Sequence, residues 1–363
     1  MAASVSSDTM RLGWAGVLAA AVLATGAWPA AATESTRPTV EVGYSPTLDL
    51  FNLLDNLSDW LPGYTSSLYQ RAWQQRFGLD ERDRALLAAY AAFRRRTSAL
   101  AQDSEATAAL ADRLFAGAEI RDGDPYTSHF LTAGSFDIAA EAAIADQSRG
   151  DQVLLRQYYA RFVPRARQLL AGQMPFSAQQ NELVRQLGSE RVGELAGQMK
   201  AFFKVDAAPT FQVRFLWWPE AAQTQAKLRG GYIFLFSTFD AEEDWAPIVM
   251  HEYSHFLSAG QPPAQRQVLA ETFAALCPAA LTLRNPLNAL EEPLAIYWGQ
   301  YRFEHEVRGG MLSAESSWYI QPHADRAAKA LAAAFPATGP APGLRADPLL
   351  KAAASVCAQV RPQ

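Results

Sequence analysis

The chain has 363 residues, 49% of them hydrophobic and 19% charged. That is enough apolar material to bury a core and too much for a disordered chain. Its net charge is −5, and the densest basic run, Arg94-Arg95-Arg96, reads as a solvated helix surface, so no nucleic-acid-binding face is expected.

The chain opens with Arg11, an uncharged Ala- and Leu-rich run over 12–27, and the small residues Ala30-Ala31-Ala32. A positive flank, a short apolar stretch and an A-x-A ending are the marks of a secretory signal, with cleavage near Ala32. An uncleaved anchor is the alternative, although the run is short and Ala-rich for a membrane span. No other stretch approaches that length, and no Cys follows the run to take a lipid. The remaining chain is therefore expected in a periplasm or outside the cell, with no membrane span after signal removal.

Residues 33–46 form a polar lead-in, with a short strand at Val40–Tyr44 ended by Pro46. From 48 to 204 the pattern is helical. Leu50, Leu53, Leu54 and Leu57 share one face, as do Leu86, Leu87, Tyr90, Ala91 and Phe93. Segments 152–170 and 179–203 read the same way, with Ser177 as N-cap, and 122–125 is a loop. After Val205 the texture changes. Residues 210–218 alternate and are aromatic-rich, predicting a strand stopped by Pro219, and Gly230-Gly231 introduces a second strand at Tyr232–Ser237. Phe215, Trp217 and Trp218 read as core, with a pocket lining as the alternative. The acidic run 240–244 and Pro247 belong in the first turn of a helix that carries 248–257 and ends near Gly260. The expectation is an α+β, predominantly α-helical protein. A helical region (33–204) precedes a catalytic region with a small sheet (205–330) and a helical tail (331–363).

That last helix holds the segment His251-Glu252-Tyr253-Ser254-His255. Two histidines four apart lie one turn apart on one helix face, where both imidazoles can share one cation. Glu252 points partly around the helix, placed for a water held by the cation and not for the cation itself, which is the position of a general base. The pattern is that of a zinc-dependent hydrolase site with one catalytic Zn²⁺. Two surface histidines on an acidic helix are the bland reading. The chain has only five histidines, and a chance pairing around a Glu at this spacing is rare.

A catalytic zinc needs a third protein ligand. The next histidines, His305 and His323, lie too far on for a closely spaced His ligand, so a carboxylate is expected. The segment Ala289-Leu290-Glu291-Glu292-Pro293-Leu294-Ala295-Ile296-Tyr297-Trp298 resembles W-L-N-E-G-F-A-x-Y of aminopeptidase-type gluzincins. This resemblance spans roughly residues 210–325. It implies a zincin-like core with Glu292 as third ligand on a second helix. Glu291 stands where the family has Asn, Pro293 where it has Gly, and Ile296 where the thermolysin pattern has Asp. The gap of 36 residues from His255 to Glu292 is about twice the familiar one. Pro262-Pro263 breaks the chain, and 265–283 then reads as an inserted helix before a loop at 284–289. Glu271 on that helix is the rival ligand, or a carboxylate that orients a ligating histidine, and Glu291 is a third candidate.

Families of this kind place a Tyr or His beyond the third ligand to stabilise the oxyanion. His323 is the first choice and Tyr319 the second, with Tyr297, Tyr301 and His305 of suitable type. Tyr232–Ser237 is expected to be the edge strand that holds a peptide backbone. Cys277 and Cys357 form either one disulfide or two buried thiols.

The functional expectation is an exported zinc metallopeptidase acting on a peptide or protein substrate. An endopeptidase is favoured, because Gly230-Gly231-Tyr232-Ile233-Phe234 lacks the G-x-M-x-N exopeptidase pattern. The alternatives are a non-catalytic periplasmic binding or envelope protein with a decayed zincin core, and a zinc hydrolase of a non-peptide amide or ester.

Overall fold

Serine and aspartate at the helix starts set the boundaries of the first half of the chain. In the computed structural model the described residues are 40–61, 65–98, 124–171, 176–205, 211–220, 225–229, 231–283, 285–339 and 343–360. The expected signal and most of the lead-in lie outside them, as do residues 122 and 123 of the expected loop. Strand β1 is Val40–Tyr44. Ser45 then caps α1 (Pro46–Asn56) and Ser66 caps α2 (Ser67–Phe77), each accepting an orphan amide of the first turn. A reciprocal box between Asp80 and Asp83 opens α3 (Glu81–Thr97). Helix α4 is Pro125–Leu131; Ser135 and Ser148 cap α5 (Phe136–Ala145) and α6 (Arg149–Leu170). Helix α7 (Ser177–Leu187) departs from the expectation: Phe176 occupies the cap in a left-handed conformation, and Ser177 is already helical. Ser189 caps α8 (Glu190–Phe203).

The remaining strands are β2 (Phe211–Trp217), β3 (Gln225–Arg229) and β4 (Tyr232–Ser237). The sheet order is β1-β2-β4-β3, with β1, β2 and β4 parallel and β3 antiparallel to β4. Tyr232–Ser237 is thus an interior strand; the edge beside it is β3, short and carrying Lys227, as edge strands often do. Period-two alternation gives the sheet two buried faces. Phe211, Val213, Phe215, Ile233 and Leu235 join one core, with α8 and the C-terminal helices. Leu216, Phe234 and Phe236 join the other, with α1 to α6. Phe215, Trp217 and Trp218 are all buried, as core. Since β1 pairs with β2 in register Val40 to Phe211, the two ends of the helical region are tied into one sheet, and the described residues form one compact unit.

Beyond the sheet come α9 (Trp245–Ala259), α10 (Pro263–Leu276), a 3-10 turn (Pro278–Thr282), α11 (Asn288–Ile296), a π-helix (Tyr297–Arg308), α12 (Pro322–Ala334) and α13 (Asp347–Ala354). The acidic run ends at Asp244, the cap of α9, so it precedes the first turn and does not form it. No helix among the described residues is long and apolar enough to cross a membrane.

Arg94 overturns its reading as a solvated side chain. It is fully buried, donates from Nε to Asp55 at 2.8 Å, pairs with Asp124, and lies 4.5 Å over the Trp60 ring. Arg95 and Arg96 are exposed. The α3 helix therefore has its charged anchor inside the second core, where two carboxylates and aromatic faces replace its hydration.

Asp49 on α1 joins that core to the sheet. Its Oδ1 accepts from the Trp217 amide at 2.8 Å and its Oδ2 from the Tyr44 hydroxyl at 3.0 Å. Burial pushes its carboxyl up to about 7, against those two hydrogen bonds. An unfolded Asp titrates near ~3.9, so the folded chain holds an extra proton between the two values. The resulting stabilisation is fully present below about pH 4 and is lost as pH rises through the folded value. Urea midpoints measured from pH 4 to 8 are expected to carry this downward slope, and to be flatter in Asp49→Asn.

Cys277, which ends α10, is bonded to Cys357 near the C-terminus. The bridge closes a long loop, with a sequence separation of 80, and chain entropy assigns such a link about 4 kcal/mol. Denaturant unfolding of a Cys277→Ala, Cys357→Ala double variant should show a loss of that order, and wild type under reductant should match it.

Candidate metal centre

Helix α9 buries Val249, Met250, Tyr253 and Leu257 against the first core. This fixes its rotation and leaves His251, Glu252 and His255 on the opposite side. His251 is 5% exposed; Glu252 and His255 are half-buried. The Nε2 atoms of the two histidines are 3.3 Å apart. Glu292 on α11 comes from across the groove, with Oε1 3.5 Å from His251 Nε2 and Oε2 3.3 Å from His255 Nε2. Among the described residues these three form the group able to hold a metal ion. Ligand bonds of about 2.0–2.1 Å at tetrahedral angles put neighbouring donor atoms roughly 3.3–3.4 Å apart. The two nitrogens, 3.3 Å apart, match that separation; each lies 3.3 to 3.5 Å from a different Glu292 oxygen. One donor atom from each residue lies within 4.8 Å of the others, and two nitrogens with one carboxylate suit zinc.

The electrostatics follow from this closeness. Burial disfavours charge on Glu292, but hydrogen bonds from both histidines hold its carboxyl well below the usual range. Burial likewise opposes charge on His255, and the Glu292 hydrogen bond and charge overcome it, holding the imidazole at about 9. Glu252 is pushed up by burial, opposed by the two histidines; the Leu228 amide of edge strand β3 donates to it. The edge of the sheet thus touches the expected general base directly.

The rival ligands have other roles. Glu271 is exposed on α10 and accepts from Gln267 Nε2 at 2.6 Å, away from the cluster. Glu291 is buried and faces the other side of α11, accepting from Ser258 Oγ at 2.6 Å and from Arg266 at 3.0 Å. These three residues come from α11, α9 and α10, and they clamp the helix of the two histidines to the helix of Glu292. The expected inserted helix is α10 plus the 3-10 turn, and it supplies Arg266.

Of the oxyanion candidates, Tyr319 is nearest by contact. Its ring stacks on His251 at 5.5 Å and 17°. Burial, then the charge and hydrogen bonding of Glu292, raise its hydroxyl. His323 is half-buried on α12 and feels the Glu292 charge, with burial lowering its pKa. The other three are engaged elsewhere. Tyr297 donates to the Phe335 carbonyl at 2.8 Å, Tyr301 accepts from the Ala337 amide at 3.3 Å, and His305 lines a cavity of about 940 Å³ with Arg191, Arg302 and Glu306.

Two further residues escaped the sequence reading, both in the first turn of the π-helix. The Gln300 amide lies 3.3 Å from His251 Nδ1; oriented with its oxygen on that side, it satisfies both ends, the nitrogen then donating to the Ala295 and Ile296 carbonyls at 3.3 and 3.0 Å. An acceptor at Nδ1 favours the tautomer in which the Nε2 lone pair would face a cation, were one bound. Gly299 presses on α9 so closely that a Cβ there would lie 2.5 Å from the His251 amide nitrogen and 2.6 Å from its Cα. π-helical turns recur at functional sites; here one turn brings both the Gly299 backbone and the Gln300 amide against His251.

No protein-family model, curated protein or solved structure matches the chain, so the assignment of chemistry rests on these residues.

The Gly299 contact is backbone against backbone and cannot yield by a side-chain rotation. Gly299→Ala is expected to cost about 1–3 kcal/mol by overpacking and to weaken cation binding through the shift of His251. Gly197→Ala in α8, where an added Cβ meets nothing within 4 Å, should instead be neutral or stabilising by up to about 1 kcal/mol. Thermal denaturation and metal titration of the two variants measure the contrast.

Proposed function

We propose that the chain is an exported zinc-dependent metallopeptidase with His251, His255 and Glu292 as ligands and Glu252 as general base. The observation that carries this reading is the convergence of His251, His255 and Glu292, with the two Nε2 atoms 3.3 Å apart and each 3.3 to 3.5 Å from a different oxygen of Glu292, beside Glu252 on the same helix, whose carboxylate accepts from the Leu228 amide. It extends to the zincin-like plan: a small mixed sheet, an edge strand, the helix of the two histidines, and a second helix with the carboxylate. The disulfide between Cys277 and Cys357 supports an oxidising compartment, in keeping with the apolar N-terminal run and its small-residue ending.

Zinc bound here would supply Lewis acidity, polarising a carbonyl and bringing the pKa of water towards ~7. The chain's own residues do the rest. Glu252 takes the proton of the attacking water and returns it to the leaving amine, a role suited to a carboxylate whose burial raises its affinity for the proton. Tyr319 donates its hydroxyl to the developing oxyanion, with His323 the second candidate. Strand β3 offers an edge for an extended peptide to join by backbone hydrogen bonds, and its Leu228 already contacts Glu252. An extended polypeptide is the substrate that such an edge recognises.

Purified protein is expected to retain one zinc per chain after dialysis at neutral pH. His255→Ala and Glu292→Ala should lose it. Glu252→Gln should keep the metal while cleavage of a broad peptide library falls by about 10²–10⁴. Absence of stoichiometric zinc in wild type, or equal cleavage by the Gln variant, would sink the reading. Zinc binding with no peptide cleavage by wild type would move the assignment to a non-peptide amide or ester, or to a binding role.

A further inference from the structure

The ligands stand on helices, but Tyr319 does not. It lies in residues 309–321, which join the π-helix to α12 and contain no helix or strand. A donor to an oxyanion must be held within a few tenths of an ångström of its place, and a stretch without a backbone ladder does not achieve this unaided. One carboxylate does it here. Asp325, in the first turn of α12 and 7% exposed, turns Oδ1 back over the loop. That oxygen accepts from the Trp318 amide at 2.6 Å and the Tyr319 amide at 3.2 Å. Its other oxygen is paired with Lys329 Nζ at 2.7 Å. Ser317 Oγ donates to the Tyr319 carbonyl at 2.8 Å, so both backbone polar groups of Tyr319 are held. Trp318 is fixed as well: it stacks on Tyr301 at 5.4 Å and donates from Nε1 to the Ser313 carbonyl at 2.8 Å. These bonds stop the loop from turning about its own axis, and the Tyr319 ring is left against His251.

We propose that Asp325 is a positioning residue: by accepting both amides it fixes Tyr319 against His251 and Glu292 and makes its hydroxyl available to the reacting carbonyl. The proposal rests on the hydrolytic reading of the site. Asp325 holds the Tyr319 amide and that of its neighbour Trp318, so its effect on the reaction passes through the placement of Tyr319. The roles of its two oxygens are separable. Asparagine keeps an Oδ1 acceptor for both amides and gives up the ion pair; alanine gives up both; Lys329→Met removes the ion pair, together with the ammonium 5.6 Å over the Trp318 ring, and leaves both amide bonds in place.

The test uses the full zinc-loaded chain and the variants Asp325→Ala, Asp325→Asn, Lys329→Met, Tyr319→Phe and Asp325→Ala/Tyr319→Phe. Hydrogen exchange of the Trp318 and Tyr319 amides is read with and without zinc, alongside kcat and KM on a cleaved peptide. In Asp325→Ala the two amides should lose at least tenfold in protection, and kcat should fall about as far as in Tyr319→Phe, with KM and zinc stoichiometry unchanged. Asp325→Asn and Lys329→Met should keep protection and kcat within about threefold of wild type. The double variant should be no slower than Tyr319→Phe. The proposal is overturned if the Asn variant behaves like Ala, if the two lesions multiply, or if the amides exchange alike in wild type and Asp325→Ala. Should wild type cleave no peptide, the proposed function fails on that arm, and the exchange arm still decides whether Asp325 holds Tyr319.

Discussion

Everything at the centre depends on a short distance between two helices that are far apart in sequence. Two imidazole nitrogens 3.3 Å apart meet the two oxygens of one carboxylate at 3.3 to 3.5 Å only if α9, α11 and the start of the π-helix run nearly in contact. Larger side chains at the contact would hold them further apart. Two devices remove that gap. Gly299 presents bare backbone to His251, and the buried Glu291 joins Ser258 of α9 to Arg266 of α10. A buried carboxylate is stabilising in context only when its partners satisfy it. Glu291 has both a hydroxyl and a guanidinium, so removing either partner strains the geometry of its neighbour Glu292. The inserted helix α10 is therefore more than a spacer, because it carries one corner of the clamp.

The sheet explains why α9 can be so precisely rotated. Its two faces are buried in different cores, one shared with the ligand helices and one with α1 to α6. The N-terminal helices thus act on the site through the sheet, without contributing a ligand. Asp49, Tyr44 and Trp217 bind α1 to the ends of β1 and β2, and Arg94 with Asp55 and Asp124 ties α3 into the same layer. Polar groups so deep in a core fix one arrangement of the elements around them, because any other would leave a charge unpaired.

What was legible in the sequence follows physical range. His251, Glu252 and His255 could be read because helical periodicity is local: positions four apart share a face whatever surrounds them. Glu292 could be read only with the aid of a motif, since spacing alone favoured Glu271. Exposure separated the two, and exposure is set by tertiary packing. Gly299, Gln300 and Asp325 left no local signal. A glycine in an apolar helix, an amide, and an acid in a first turn are each ordinary, and their roles come from partners brought close by the fold. Arg94 was misread for the same reason: three consecutive arginines resemble a surface, but helical rotation aims one of them into the core. Strand β3 was missed because a short, charged edge lacks the alternation of a half-buried strand.

The centre combines two kinds of support. The three proposed ligands sit on helices clamped by backbone contact and a buried ion pair, whereas Tyr319 sits on a loop steadied chiefly by one carboxylate. Glu292 is shared among His251, His255 and the Tyr319 hydroxyl, and a carboxylate has lone pairs enough for several partners. On the proposed reading, a cation held by the two histidines and Glu292 would need neutral imidazoles as ligands, and the remaining lone pairs of Glu292 would still receive the Tyr319 hydroxyl. That hydroxyl belongs to a half-buried side chain stacked on His251, beside the place where a carbonyl oxygen would gain charge. A donor whose bond strengthens as negative charge develops is matched to the transition state and not to the ground state. The bonds of Asp325 to the loop backbone are what would hold it there.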